Sequence, residues 1–385
     1  MFDAEELMAQ AVDATGADDF GERDFLVGLR AYCASLSDEA KLSELGVAAL
    51  SGSIVSSLAN RLRVMDYVKR HPGVRTERID APVVVIGMFR AGTTLLSYLL
   101  DQDPGNRPLL GWEAGDTVPP PTPGNHRQGP RVDAAKQRAA LLDQINPAAR
   151  IVHHEEPDGP TECIAVMAQD FKSLSWEAIA NVPSYSAWLL AVDQTSAYRY
   201  HHTVLQTLQS GGVRGLWTLK SPHHAIALDA LVSVYPDARL VLLHRDPTVL
   251  CASVCSLIRT LSSTFTDADH SAYIAAHWTA LLRESIARID AFRPTHPEHA
   301  ICDVHYADLV QDPVATVATI YGSLGIDLEP SARAAIADYA AQHPKGEFGA
   351  HRYDLAEFGL DVNELREQFA GYTERYDVPE ERQAP

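Results

Sequence analysis

An α/β fold is predicted for this chain: a parallel sheet flanked by helices, with helical additions at both ends. Three observations predict it. APVVVIG is a continuous apolar run, rich in β-branched residues, that leads into a glycine loop and then into TTLLSYLLDQ at helical spacing. A run of this kind marks a strand buried on both faces of a parallel sheet. Further along, GLWTLKSPHHAIALDALVSVYPDARLVLLHRDPTVLCASVCSLIRTL reads as strand (216–219), helix (about 223–234), strand (239–243) and helix (about 247–260). That unit implies a parallel pair with a right-handed crossover. The first 70 or so residues carry apolar positions three and four apart, as in FLVGLRAYCASL and VAALSGSIVSSLANRL, which is the pattern of helices.

The remaining elements follow in order. HPGVRTERIDAP breaks the N-terminal helical pattern before the first strand. Residues 104–130 include PPPTPGNHRQGP and read as a long surface loop. IVHHEEPDGPTEC is a second irregular piece, and helices fill much of 161–210. Asp246-Pro247 is a helix start, with Asp as N-cap and Pro at the first helical position. After residue 270 the chain is mostly helical, with a short strand at AICDVHY. The expected organisation is an N-terminal helical region (1–80), an α/β core (81–325) with loops at 104–130 and 151–160, and a C-terminal helical tail (326–385).

Composition narrows the function. The chain has 385 residues, 46% hydrophobic and 22% charged, enough for a sizeable core. Its formal net charge of −19 argues against nonspecific nucleic-acid binding, so an anionic ligand needs a local cluster of donors. No apolar run approaches the length of a membrane span, and MFDAEELMAQ lacks the form of a secretory signal, so a cytoplasmic address is expected. Five cysteines argue against a disulfide framework, and Cys251 and Cys255 read as core thiols with no metal-spaced partners.

From Gly87 the loop reads G-x-x-x-x-G-T-T. This is nearly the phosphate-binding loop G-x-x-x-x-G-K-[ST], which makes the predicted sheet one of P-loop type. The usual lysine is replaced by Thr93, and Arg90 stands three positions earlier. Backbone N–H groups at the helix start, with the hydroxyls of Thr93 and Thr94, can clasp one phosphate while Arg90 reaches its far side. The plainer alternative is a tight strand–helix turn. A second anion site is suggested by Arg245 at a strand end and Ser253 eight residues later on the next helix. Its alternative is a salt bridge and a small packing residue.

Taken together, these motifs resemble those of sulfotransferases that use 3′-phosphoadenosine-5′-phosphosulfate (PAPS). The family's 5′-phosphosulfate loop matches Arg90, Ala91, Gly92, Thr93 and Thr94, and its 3′-phosphate motif matches Arg245 and Ser253. The run LKSPHH … YPDARLVLLHRDP is similar to that of tyrosylprotein sulfotransferases. The WE-then-polyproline loop and the late HRY…FGL segment resemble the actinobacterial group. The resemblance implies PAPS as cosubstrate, PAP (3′,5′-ADP) as product, no metal, and a small-molecule or lipid acceptor. A homodimer is a family-level expectation.

Carried residue by residue, the resemblance makes Arg90 and Lys220 the cations that stabilise the leaving phosphate. Glu113, in GWEAGD, becomes the leading base; the alternative for it is a structural carboxylate paired to an arginine. His153, His154, His223 and His224 are the runners-up for the base. Lys345, Gly346 and Gly349, or Gly349 and Arg352 within G-x-H-R-Y, form a tail segment expected against the site. Ala91 departs from the usual Ser or Thr and removes one hydroxyl contact. Trp112, Pro119 to Pro121 and Trp188 suggest an apolar acceptor wall. Two rival classes are a Mg²⁺-dependent P-loop kinase, with Asp246 imitating a magnesium ligand, and a non-catalytic PAP- or nucleotide-binding module.

Overall fold

A computed structural model describes residues 2–148, 155–343 and 354–381. Five strands form one sheet in the order β2-β3-β1-β4-β5: β1 Val83–Gly87, β2 Asn106–Pro108, β3 Leu216–Ser221, β4 Arg239–His244 and β5 Ile301–His305. Every pairing is parallel. All five β1 residues are buried, as their unbroken apolar run requires of a central strand.

The two strands of the 216–243 unit are parallel, but they do not pair with each other. β1 lies between them, with Val83 opposite Thr218 on one side and Arg239 on the other. Local sequence shows a crossover but not which strand fills the space between its ends. The 104–130 segment also differs from expectation, since it contributes edge strand β2 and a short helix, Gly111–Gly115. Three residues pair β2 with β3, and so brief an edge strand leaves little alternation to read. The expected helix near 223–234 is a 3₁₀ turn, Pro222–Ile226, followed by Leu228–Val234.

The N-terminal helices Ala4–Thr15, Phe25–Asp38 and Glu44–Arg70 form as their periodicity predicts. They are tied to the rest by buried Arg61, which donates to Phe20 O, Glu22 O, Gln169 O and the Asp170 carboxylate (3.0 Å). Helix Pro247–Ser262 starts as expected: the Asp246 carboxylate accepts from Thr248 N–H at 2.8 Å. Helices Pro313–Leu324, Pro330–Gln342 and Val362–Arg375 follow β5. One continuous apolar core includes Ala4, the sheet and Val378. Cys251 and Cys255 lie inside it, and burial pushes both thiols up to about 12. Among the described residues no helix is long and apolar enough to cross a membrane.

The parallel register brings the C-terminal ends of β3, β1 and β4 to one edge, and the segments leaving them are Pro222, the 88–92 loop and Arg245. Ligands of open parallel sheets bind at this edge, because loops and helix N-termini converge there.

Candidate active site

The 88–92 loop turns on two left-handed residues, Arg90 (φ 70°) and Gly92 (φ 100°). A Cβ on Gly92 would sit 2.5 Å from the Tyr306 ring, so glycine is required there on both steric and conformational grounds. Helix Thr93–Leu100 follows with no side-chain N-cap. Its first-turn N–H groups therefore keep the positive end of the helix available to an anion.

The two sequence motifs meet at this loop. Arg90 Nε donates to Ser253 Oγ at 3.1 Å, and Arg245 Nη1 donates to Arg90 O at 2.8 Å. The Arg245 guanidinium lies 4.0 Å over the Tyr306 ring. Its Nε and Nη2 donate to the two carboxylate oxygens of Glu381 at 2.6 and 2.9 Å. A residue at the end of β5 and one near the chain's end thus join a site whose motifs sit on β1 and β4.

Lys220, at the end of β3, is 1% exposed. Its ammonium donates to Thr94 Oγ1 at 3.2 Å and to the Glu155 carboxylate, with Glu162 Oε1 at 3.5 Å. Burial works against its charge, but the two carboxylates outweigh burial and raise its pKa above the ordinary lysine value. Lys220 is therefore a held cation beside the loop rather than a solvent lysine.

A cleft of about 350 Å³ opens over the loop. Its polar end has Arg90, Gly92 to Thr94, Arg245, Tyr306 and Glu162. Its other wall is apolar: Phe89, Ile164, Ile179, Leu257 and Leu261. Trp112 is not part of that wall. It packs with Leu110, Val132 and Ala135, and its indole N–H donates to His126 O. Trp188 instead packs against Tyr185. Pro119 to Pro121 are likewise absent from the cleft's described lining.

Glu113 also lies away from the cleft's described lining. Its carboxylate is fully buried and forks onto Arg107 at 2.7 and 3.0 Å, while Leu110 N–H donates to it at 3.1 Å. This geometry matches the structural alternative: both oxygens are engaged, and one partner is an arginine only six residues away. His223 and His224 are buried as well. His223 accepts from Leu174 N–H and pairs with Gln194, and His224 pairs with Tyr198 at 2.8 Å. Burial pushes His223 down to about 3 and His224 well below the ordinary histidine value. His153, His154, Lys345, Gly346, Gly349 and Arg352 lie outside the described residues.

The sequence reading missed Glu162, Tyr306 and Glu381. Tyr306 directly follows a parallel strand, the same position that drew attention to Arg245, and that signal was available. Glu162 is a lone carboxylate and Glu381 the second of an adjacent pair with Glu380; both sit in irregular stretches with no local pattern to single them out. Asp246 uses Oδ1 for the Thr248 N–H and hydroxyl, and Oδ2 for Glu381 N–H. It is therefore engaged as a cap and tail anchor rather than as a magnesium ligand.

Residues 82–330 match the Sulfotransferase family. The crystal structure of sulfotransferase STF9 from Mycobacterium avium superposes with a TM-score of 0.90 at 30% identity, covering 100% of this chain and 99% of that one. Sulfotransferase STF1 from Mycobacterium tuberculosis H37Rv superposes with a TM-score of 0.86 at 32% identity, covering 96% and 99%. Omega-hydroxy-beta-dihydromenaquinone-9 sulfotransferase Stf3 of Mycobacterium bovis is 24% identical over 277 residues, 68% of each chain. These likenesses favour neither the kinase nor the non-catalytic reading. With residues 82–330 matched by the family and a sulfotransferase structure superposing over the whole chain at 30% identity, this five-stranded parallel α/β protein belongs to the sulfotransferase family.

Proposed function

We propose that the protein moves a sulfuryl group from PAPS to a hydroxyl or amine of an apolar small-molecule or lipid acceptor and releases PAP. The carrying observation is the direct contact between the two phosphate motifs: Arg90 to Ser253 at 3.1 Å and Arg245 to Arg90 O at 2.8 Å. They form one continuous polar end beside an apolar wall, which suits a donor with two phosphates and a mostly hydrocarbon acceptor. The Stf3 relative, named for a hydroxylated menaquinone acceptor, supports the same acceptor class.

In this reading the N–H groups of the 90–94 loop and the hydroxyls of Thr93 and Thr94 hold the 5′-phosphate, with Ala91 contributing backbone alone. Arg245 and Ser253 hold the 3′-phosphate; Lys345, Gly346, Gly349 and Arg352, assigned to the donor by family resemblance, lie outside the described residues. The acceptor oxygen attacks sulfur in line with the bridging S–O bond. That bond breaks, and its electron pair leaves with PAP, where Arg90 and Lys220 offset the growing charge. The base must face the cleft. Glu162 does so and adjoins Lys220, so Glu162 takes the proton role expected of Glu113, and Glu113 is assigned to the fold.

Calorimetry with PAP in EDTA tests the reading, with ADP plus Mg²⁺ as comparison. Metal-free PAP binding that disappears in Arg245→Ala is expected. Binding of ADP with Mg²⁺ and none of PAP would overturn it.

A further inference from the structure

The Arg245 side chain already carries an anion. Glu381 presents both carboxylate oxygens to its Nε and Nη2, at 2.6 and 2.9 Å, the geometry with which a guanidinium grips a phosphate. The contact is built rather than incidental. Helix Val362–Arg375 is docked through buried Phe369 and Tyr372, and the Tyr372 hydroxyl lies 3.0 Å from His244 Nδ1 at the end of β4. Val378 is buried, Glu380 pairs with Arg366 at 3.1 Å, and Glu381 N–H donates to Asp246 Oδ2 at 2.8 Å. The segment after the last helix is therefore led to one position and held there by its backbone, which leaves the Glu381 carboxylate to settle on the arginine that follows β4.

We infer that Glu381 is an internal stand-in for the donor's 3′-phosphate, a removable counter-ion that must leave Arg245 before PAPS or PAP seats fully. This rests on the reading of Arg245 as the 3′-phosphate residue. One edge of a guanidinium cannot serve a carboxylate and a phosphate together. Arg245 lines the cleft, and the pair is partly exposed, Arg245 14% and Glu381 25%, so water and ligand can reach it. With the arginine already neutralised, a chain of net charge −19 does not leave a bare cation in its cleft between turnovers. The cost is lower apparent affinity, because ligand binds only the fraction of molecules in which the carboxylate has swung away. The same re-pairing would help expel PAP after transfer.

The test measures the affinity of PAP, and of adenosine 5′-phosphate as a probe without the 3′-phosphate, for the full chain and for Glu381→Gln and Glu381→Ala. Both variants are expected to bind PAP about tenfold more tightly, as when the competent fraction rises from about a tenth to near unity. Adenosine 5′-phosphate affinity should be unchanged. If the parent chain binds PAP and both variants bind it equally or more weakly, Glu381 is a support for Arg245 and the inference is overturned, with the donor reading intact. Equal tightening for both probes would also overturn it, since the effect would not belong to the 3′-phosphate. Absence of PAP binding in all three chains would overturn the inference together with the donor reading.

Discussion

Three carboxylates illustrate how position decides the work of one functional group. Glu113 is enclosed with Arg107, Glu162 faces the cleft beside Lys220, and Glu381 rests on Arg245. Removing one partner of a buried ion pair leaves the other charge without compensation, at about 3–5 kcal/mol. Glu113→Gln should therefore lower thermal stability by roughly that amount, and the folded fraction should retain most of its turnover. Glu162→Gln should lower the melting temperature less than Glu113→Gln, because Glu155 still pairs with buried Lys220, and lower kcat by about 10²–10⁴, the usual worth of a general base. Parallel melts and initial-rate assays separate the two roles, and a large kcat loss confined to Glu113→Gln would reverse the assignment. Arg90→Ala should lower kcat by about 10²–10³ through lost stabilisation of the leaving phosphate. A change confined to KM would instead mark Arg90 as a binding residue only.

At the scale of elements, the site is a meeting of strand ends. β1 supplies the loop, β3 supplies Lys220, β4 supplies Arg245 and β5 supplies Tyr306. The loop has its shape because Gly92 takes a left-handed conformation against the Tyr306 ring. Gly92→Ala places a methyl group 2.5 Å from that ring at a φ of 100°. Strain of about 1–3 kcal/mol is expected, together with loss of PAP affinity as the loop shifts. Urea denaturation and calorimetry read the two effects. Unchanged PAP affinity would mean that the loop does not bind the donor.

At the scale of the whole molecule, the N-terminal helices share one core with the sheet, and His201, His223 and His224 are buried. Burial holds His201 and His223 at about 3 and His224 well below its ordinary value. In the unfolded chain each titrates near 6.5. Between that value and the folded pKa the unfolded state binds more protons, so stability falls as pH falls. Each such histidine contributes a slope of about 1.4 kcal/mol per pH unit below 6.5. The melting temperature should drop steeply from pH 7 to pH 5, and His223→Gln should flatten part of that drop. A flat profile would show that these rings gain protons in the folded state.

What the sequence by itself determined is what a few consecutive residues can encode. The β1 run, the glycine loop, the Asp246 cap and the spacing of Arg245 from Ser253 were all legible, because burial periodicity and capping act over one or two turns. The α/β class and the first choice of loop and strand-end residues followed from them. Only the tertiary structure decided which side chains meet. It set β1 between β3 and β4, brought Glu155 to Lys220 across 65 residues, and brought Glu381 to Arg245 across 136. It also turned Glu113 inward onto Arg107, although the family resemblance implied a base at that position. The physical reason is common to all of these: a contact between distant segments is fixed by how helices and sheet pack into one core, and side-chain direction at an irregular position has no local period from which to read it.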